Sequence, residues 1–320
     1  MNTPLGSNKE TVGVLVMSYG TPESLDQVEA YYTHIRRGRP PSQEQLDDLV
    51  RRYDAIVGGF FPLRRNTDHQ VQALQETLHT LAPNVNYVCY QGLKHALPFI
   101  EDGVRTMVAD GIQRAIGIVL APHYSTMSVG SYIKRAQSTA EELGIHMEFI
   151  ESYHLHPKLI TAISQRVVQA LERFTEVESE EVRVLFTAHS LPERILQIKD
   201  PYPEQLLETA RAIVAQTGIT NWQFAWQSAG QTGEPWLGPD ILEELERIHQ
   251  DEGTDYALIC PIGFVSEHLE VLYDLDIEAQ ALARRLGLHL ERTAMLNTEP
   301  LYMETLAEAI DSLRSRWEAN

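Results

Sequence analysis

Three acidic residues, Glu270, Asp274 and Glu278, recur at every fourth position, which lines their carboxylates along one face of a helix. Like charges so spaced repel by roughly 0.2–0.5 kcal/mol per pair. The arrangement is either a solvated acidic face or a path for a hydrated divalent cation, which favours oxygen ligands. The path reading gains from the preceding loop, Pro261-Ile262-Gly263-Phe264, which follows a short apolar run and turns the first helical turn toward a cleft. His189 closes another apolar run and is followed by Ser190-Leu191-Pro192, which stops regular structure. A lone histidine in such a place is more often a satisfied loop residue than a catalyst. Set opposite Glu270, it forms a nitrogen–oxygen pair able to hold Fe2+ weakly and to take up protons, since imidazole titrates near neutrality.

Two further groups point to what would be held. Arg36, Arg37 and Arg39 cluster, as do Arg51 and Arg52, giving local positive charge in an acidic chain. Solvated helix ends explain such clusters as well as an anion site does. Tyr19, Tyr124, Phe264, Trp226 and Trp236 fall near strand ends. Singly each reads as core packing; together they suit a flat, apolar ligand. A flat ligand, carboxylate arms for the arginines and a metal path describe a porphyrin.

The elements that must position these residues follow one pattern, repeated four times. A short apolar run leads to a loop rich in Pro, Gly, Ser or His, and then to an amphipathic helix. The runs are Val12 to Met17, Ile116 to Leu120, Val182 to Phe186 and Tyr256 to Cys260. Val85 to Cys89, Glu148 to Ile150 and Trp222 to Trp226 supply further strands. Continuous apolar strands alternating with helices predict parallel sheets covered on both faces. The fold class is therefore α/β, with two similar doubly wound, Rossmann-like domains and a cleft between them. The first domain spans 1–152 and the second 153–299, with a helix over 300–318 packing back on the first. In such sheets ligands bind beyond the carboxyl ends of the strands, where Tyr19, His123, His189 and the loop leading to Glu270 fall.

Composition excludes several classes. With 26 Lys+Arg against 45 Asp+Glu the net charge is −19, which disfavours nucleic acid as a partner. Two cysteines, Cys89 and Cys260, lie too far apart in sequence for a CxxC site and are too few for an iron–sulfur cluster. The polar first ten residues lack a signal-peptide layout. No apolar run reaches the ~18 residues of a membrane span, so a cytoplasmic protein is expected. Neither GxGxxG nor GxxxxGK[ST] follows a strand, and HExxH and GxSxG are absent. Gly230-Gln231-Thr232-Gly233 reads as a loop.

The chain resembles the ferrochelatases. Val184-Leu185-Phe186-Thr187-Ala188-His189-Ser190-Leu191-Pro192 looks like the family's active-site histidine segment, and Phe264-Val265-Ser266-Glu267-His268-Leu269-Glu270 like its glutamate segment. Met17-Ser18-Tyr19-Gly20-Thr21-Pro22, Tyr31 to Arg39, Gly92-Leu93-Lys94-His95 and Trp236-Leu237-Gly238-Pro239-Asp240 are also similar. The likeness runs from about Gly13 to Leu282 and is strongest to the monomeric, soluble enzymes of Gram-positive bacteria, which act on coproporphyrin III. It implies His189 and Glu270 flanking the porphyrin centre, with Asp274 and Glu278 farther along the metal path and Tyr19 on the opposite ring face. Arg36, Arg37, Arg52, Tyr53, Ser125 and Thr126 would hold propionates or close over the ring, with Lys94, His95, Trp226 and Phe264 near it. Fe2+ would be a substrate, and no cofactor would be permanently bound. Two departures stand out. Phe61 occupies a position where relatives usually carry a serine able to bond a propionate, and Lys199-Asp200 replaces a common Gly-Asp.

Other readings make different demands. A protoporphyrin IX enzyme needs only two propionate contacts. A cobaltochelatase usually has a metal site richer in histidine. A non-catalytic tetrapyrrole or metal carrier would bind stoichiometrically without turnover.

Overall fold

The structure, a computed structural model, describes residues 9–57, 61–230 and 232–317. Strand β1 (Glu10–Ser18) leads through a short 3-10 turn (Leu25–Gln27) into α1 (Val28–Ile35), α2 (Gln43–Val57) and α3 (Pro62–Leu81). Then follow β2 (Val85–Leu93), α4 (Ile100–Ala109), β3 (Arg114–Val119), α5 (Val129–Leu143), β4 (His146–Ile150) and α6 (Pro157–Leu171). The second half repeats the alternation: β5 (Arg183–His189), α7 (Arg194–Gln197), α8 (Tyr202–Thr217), β6 (Trp222–Gln227), α9 (Ile241–Glu252) and β7 (Tyr256–Cys260). It ends with α10 (Leu269–Leu272), a π-helical segment (Asp274–Ala279), α11 (Gln280–Leu286), β8 (His289–Arg292) and α12 (Pro300–Ser315).

The strands form two parallel four-stranded sheets, ordered β2-β1-β3-β4 and β6-β5-β7-β8. These are the same topology twice, which is the expected pair of doubly wound halves. Central strands are apolar on both faces because helices cover both: Val12, Val14, Leu15, Val16 and Met17 in β1 and Val184 to Phe186 in β5 are fully buried. The strand expected over Val182 to Phe186 runs on to His189, so the histidine is still held by the sheet. Strand β8 has no apolar run to announce it; only Leu290 of its four residues is buried.

Helix α12 packs against α3 and α6. Tyr302 on it meets Tyr153, hydroxyl to hydroxyl at 3.1 Å, and Lys158 and Arg166 of α6 pair with Glu304 and Glu299. One apolar core runs through this region, from Val14 and Ile116 in the first sheet to Val184 and Phe186 in the second. A smaller cluster of Val28, Tyr53 and Phe61 holds α1 and α2 together and reaches Leu269 at the start of α10. That contact ties the inserted α1–α2 layer to the helix carrying Glu270. Gly58, Gly59, Phe60 and Gln231, and residue 318 of the expected last helix, lie outside the described residues.

Candidate active site

In each sheet the strand order reverses between the first and third strands, at β1/β3 and β5/β7. Crevices at such switch points bind ligands. Tyr19 follows β1, Ser125 and Thr126 follow β3, His189 ends β5, and the loop to Glu270 follows β7.

His189 and Glu270 come together, Nε2 to Oε1 at 3.5 Å, each with about a third of its side chain exposed. A residue that sequence reasoning passed over completes the arrangement: His268 Nε2 lies 3.5 Å from the other carboxylate oxygen, Oε2. The second ring nitrogens are spoken for. His189 Nδ1 donates to the Ser190 carbonyl, and His268 Nδ1 to the Ser266 carbonyl at 2.9 Å. With both Nδ1–H groups so engaged, each neutral ring aims its Nε2 lone pair at Glu270. A lone pair facing a carboxylate is repulsive, so the geometry calls for a cation there, either a proton on Nε2 or a metal ion. Burial alone would lower the His189 pKa, but the charge and hydrogen bond of Glu270, the Ser190 carbonyl and Asp274 raise it to about 9. Burial would raise Glu270, yet His189 and His268 hold it well below the usual carboxylate range.

Glu270 is further held through its backbone, whose carbonyl accepts from Gln227 Nε2 at 3.1 Å. Gln227 is fully buried and also accepts from Thr187 Oγ1 at 2.8 Å. The helix bearing the acidic row begins at Leu269 rather than near Ser266, and it is not a plain α-helix. The Glu278 amide bonds back five residues to the Tyr273 carbonyl at 3.0 Å. A four-residue step overshoots one turn of an α-helix and falls short of one turn of the wider π form. Passing from α to π between Glu270 and Glu278 therefore offsets the drift that a continuous α-helix would give the row. Asp274 is buried, receives Ser228 Oγ at 2.5 Å and lies 3.4 Å from Arg52 Nη1. Burial and the charges of Glu270 and Glu278 raise its pKa to about 7 against the Ser228 and Arg52 contacts. Glu278 is partly exposed farther along. Among the described residues no three His, Cys, Asp or Glu side chains converge as a ready-made metal cage.

The other expected residues divide. Tyr19 is 42% exposed, and burial of its hydroxyl with the nearby Glu270 charge raises its pKa. Phe264 and Trp236 approach the His189 ring at 6.5 and 6.3 Å. Lys94 donates to Ser131 Oγ at 2.7 Å and is lowered to about 8 by burial, Arg135 and Arg37. Arg37 is exposed and Arg36 half-buried at the end of α1, where Arg36 Nε donates to the Arg39 carbonyl at 3.3 Å. Trp226 is a correction: it lies in the core with its ring against Tyr202 and Phe224, at the end of β6 where consecutive residues on both faces are buried. Tyr53 is likewise buried, its hydroxyl 3.2 Å from Thr21 Oγ1, with Phe61 packed on its ring at 4.9 Å. Phe61 thus belongs to the α1–α2 core. Arg52 is engaged with Asp48, Asp274 and the Tyr273 ring.

Ser125 and Thr126 are also committed. Both hydroxyls and the Thr126 amide donate to Asp200 Oδ2 at 2.7–3.1 Å, and the Tyr202 amide donates to Oδ1 at 3.1 Å. A buried carboxylate from the second half thereby fastens a cleft loop of the first. Asp200→Ala leaves the buried Ser125 hydroxyl and Tyr202 amide without this partner at ~1–3 kcal/mol each, so urea denaturation should show a loss of about 3 kcal/mol. His123 is buried in the same seam, its Nε2 2.9 Å from Thr209 Oγ1. Cys89 and Cys260 are free thiols, each pushed up to about 12 by burial.

Comparisons with known proteins bear on the family and the fold. A family model described as Ferrochelatase matches residues 11–313. The chain is 46% identical to a coproporphyrin III ferrochelatase of Geobacillus thermodenitrificans over 94% of this chain and 96% of that one. It is 45% identical to one of Halalkalibacterium halodurans, covering 94% and 97%. Among solved structures, SirB from Bacillus subtilis with Fe3+ superposes with a TM-score of 0.57 at 12% identity, covering 96% of this chain and 98% of that one. That likeness concerns the two-lobed fold alone.

Proposed function

The chain belongs to the ferrochelatase family, and from that premise we propose that it inserts Fe2+ into coproporphyrin III, giving coproheme and two protons. The observation that carries the reading is a carboxylate gripped between two imidazole Nε2 atoms at the head of an acidic row. A free-base porphyrin holds two N–H protons in its plane, and the metal enters as these leave. A flat ring hides its nitrogen lone pairs; a ring held bent exposes them, with peripheral binding energy supporting the distortion.

In this scheme the carboxylate arms bind through charge-assisted hydrogen bonds from the cationic rim, with Arg36, Arg37 and Lys94 nearest to free. Ser125 and Thr126 shape the cleft wall, and Arg52 closes over the acidic row. Fe2+ is a substrate that sheds water along Glu278, Asp274 and Glu270. His189 in its free-base form receives one pyrrole proton at Nε2 and the other leaves to solvent; Glu270 stabilises the resulting imidazolium, and His268 keeps Glu270 in place. Tyr19 presents its ring from the other side. We place the enzyme in the cytoplasm as a monomer without a resident cofactor. No helix among the described residues is long and apolar enough to cross a membrane.

The substrate is tested by comparing coproporphyrin III with protoporphyrin IX under anaerobic turnover. A kcat/KM at least tenfold higher for coproporphyrin is expected; equal or reversed preference removes coproporphyrin from the proposal and leaves the chelatase. A second test addresses the loop behind His189. A Cβ on Gly263 would meet the Ala188 Cβ at 2.5 Å and its Cα at 2.8 Å. Backbone cannot yield as a side chain can, so Gly263→Ala should displace the end of β5. Turnover is expected to fall at least tenfold with KM for the porphyrin little changed, as read by steady-state kinetics.

A further inference from the structure

A pair of histidines packed beside Tyr19 takes no step in the scheme above. His34, near the end of α1, and His95, after β2, meet Nδ1 to Nδ1 at 3.0 Å. We propose that this pair is a second metal site, taking a divalent ion that prefers imidazole, such as Cu2+, Zn2+ or Ni2+, with water completing its coordination.

Geometry is the first support. Two nitrogens bound to one tetrahedral ion at roughly 2.0–2.1 Å lie about 3.3 Å apart, so the pair needs to open by only a few tenths of an ångström. Without metal, two neutral rings in this contact share a single proton, one Nδ1–H donating to the other Nδ1. A metal ion replaces that proton between them, and the donor ring moves its hydrogen to Nε2, so neutral rings release no proton on loading. Both rings are braced. Phe99 stacks on His34 with centroids 5.0 Å apart and planes at 17°, and Tyr19 packs on His95 at 4.7 Å. The His95 amide donates to the Tyr19 carbonyl at 3.0 Å, which anchors that ring's backbone to the end of β1.

Protonation competes little at one of the two ligands. Burial, then the charges of Lys94, His34 and Arg135, lower His95 to about 3, leaving it a free base at neutral pH. The same cations oppose a divalent ion. Arg135 is engaged by Glu101 through two 2.7 Å contacts, and Lys94 donates to Ser131. Arg37 lies close enough to affect Lys94. This surrounding charge favours ions with strong affinity for nitrogen, and Cu2+ stands above Fe2+ in that order. The pair therefore differs in preference from the oxygen-rich row, and it is carried wholly by the first half of the chain.

The test is Cu2+ binding by equilibrium dialysis, with paramagnetic resonance to identify nitrogen ligands. Wild-type protein, the double variant His189→Ala/His268→Ala, His34→Ala and His34→Gln would be compared, with circular dichroism confirming the fold of each. The double variant His189→Ala/His268→Ala is expected to retain one Cu2+ with nitrogen coordination. Each His34 variant should lose that equivalent or bind it at least tenfold more weakly. Unchanged stoichiometry and affinity in folded His34 variants, or oxygen-only coordination of the retained ion, would overturn the proposal.

Discussion

Replacing His189 by alanine is expected to slow Fe2+ insertion at least a hundredfold while coproporphyrin III affinity stays within about threefold. The rate expectation follows from losing a positioned proton acceptor, an effect of about 10²–10⁴ in general acid–base catalysis. His189 is placed for that role by the strand that ends on it and by its Nδ1 contact with the Ser190 carbonyl. In the proposed scheme affinity survives because the carboxylate arms are held at the periphery, by Arg36 and Arg37 after α1 and by Lys94 after β2. Insertion is read from porphyrin absorbance and affinity from fluorescence quenching. Near-wild-type turnover would remove His189 from the chemistry; lost binding with it would make the residue a structural support of the cleft.

Glu270→Gln keeps the shape and removes the charge. In the proposed scheme Fe2+ then loses an anionic ligand and the His189 imidazolium loses its partner, so a fall in insertion of about 10²–10³ is expected. The pH profile separates these roles. With His189 raised to about 9 in the unoccupied protein, the free-base fraction grows from pH 7 to 9, and wild-type kcat/KM should rise with it. In the glutamine variant the main cause of the raised pKa is gone, so residual activity should level off at lower pH. Stability is linked to the same pair. The raised His189 pKa stabilises the fold below the unfolded value of about 6.5, and this fades as pH rises through about 9. The depressed Glu270 pKa contributes above about 4.5 and is lost as pH falls toward its folded value. These are two views of one interaction, partly screened by solvent. Chemical denaturation at several pH values should therefore show the variant's deficit between about pH 5 and 8. An unaltered pH profile in Glu270→Gln would show that another group governs the rate.

Much of the fold was legible because parallel strands covered on both faces leave continuous apolar runs. Strand β8 escaped since a short edge strand with one buried side chain leaves no such run. The acidic row was legible from spacing alone, but its α-to-π transition was not, because a five-residue backbone bond has no side-chain signature. His268 stood in the quoted glutamate segment, two residues before Glu270, without a role. Its signal was proximity to that carboxylate, which only the turn before α10 converts into contact. Gln227, Ser228 and Asp200 act across the fold, and their partners lie 43, 46 and 74–75 residues away. Trp226 and Trp236 were equivalent as sequence; the first is buried within β6, whereas the second lies in the loop after that strand, bridged to Pro192, with its ring toward His189.

The most direct test is to mix the wild-type protein anaerobically with excess Fe2+ and coproporphyrin III and follow the Soret band. The account predicts many turnovers per protein and the spectrum of coproheme. Stoichiometric binding of coproporphyrin, with a spectrum that stays metal-free, would contradict it and make the chain a carrier.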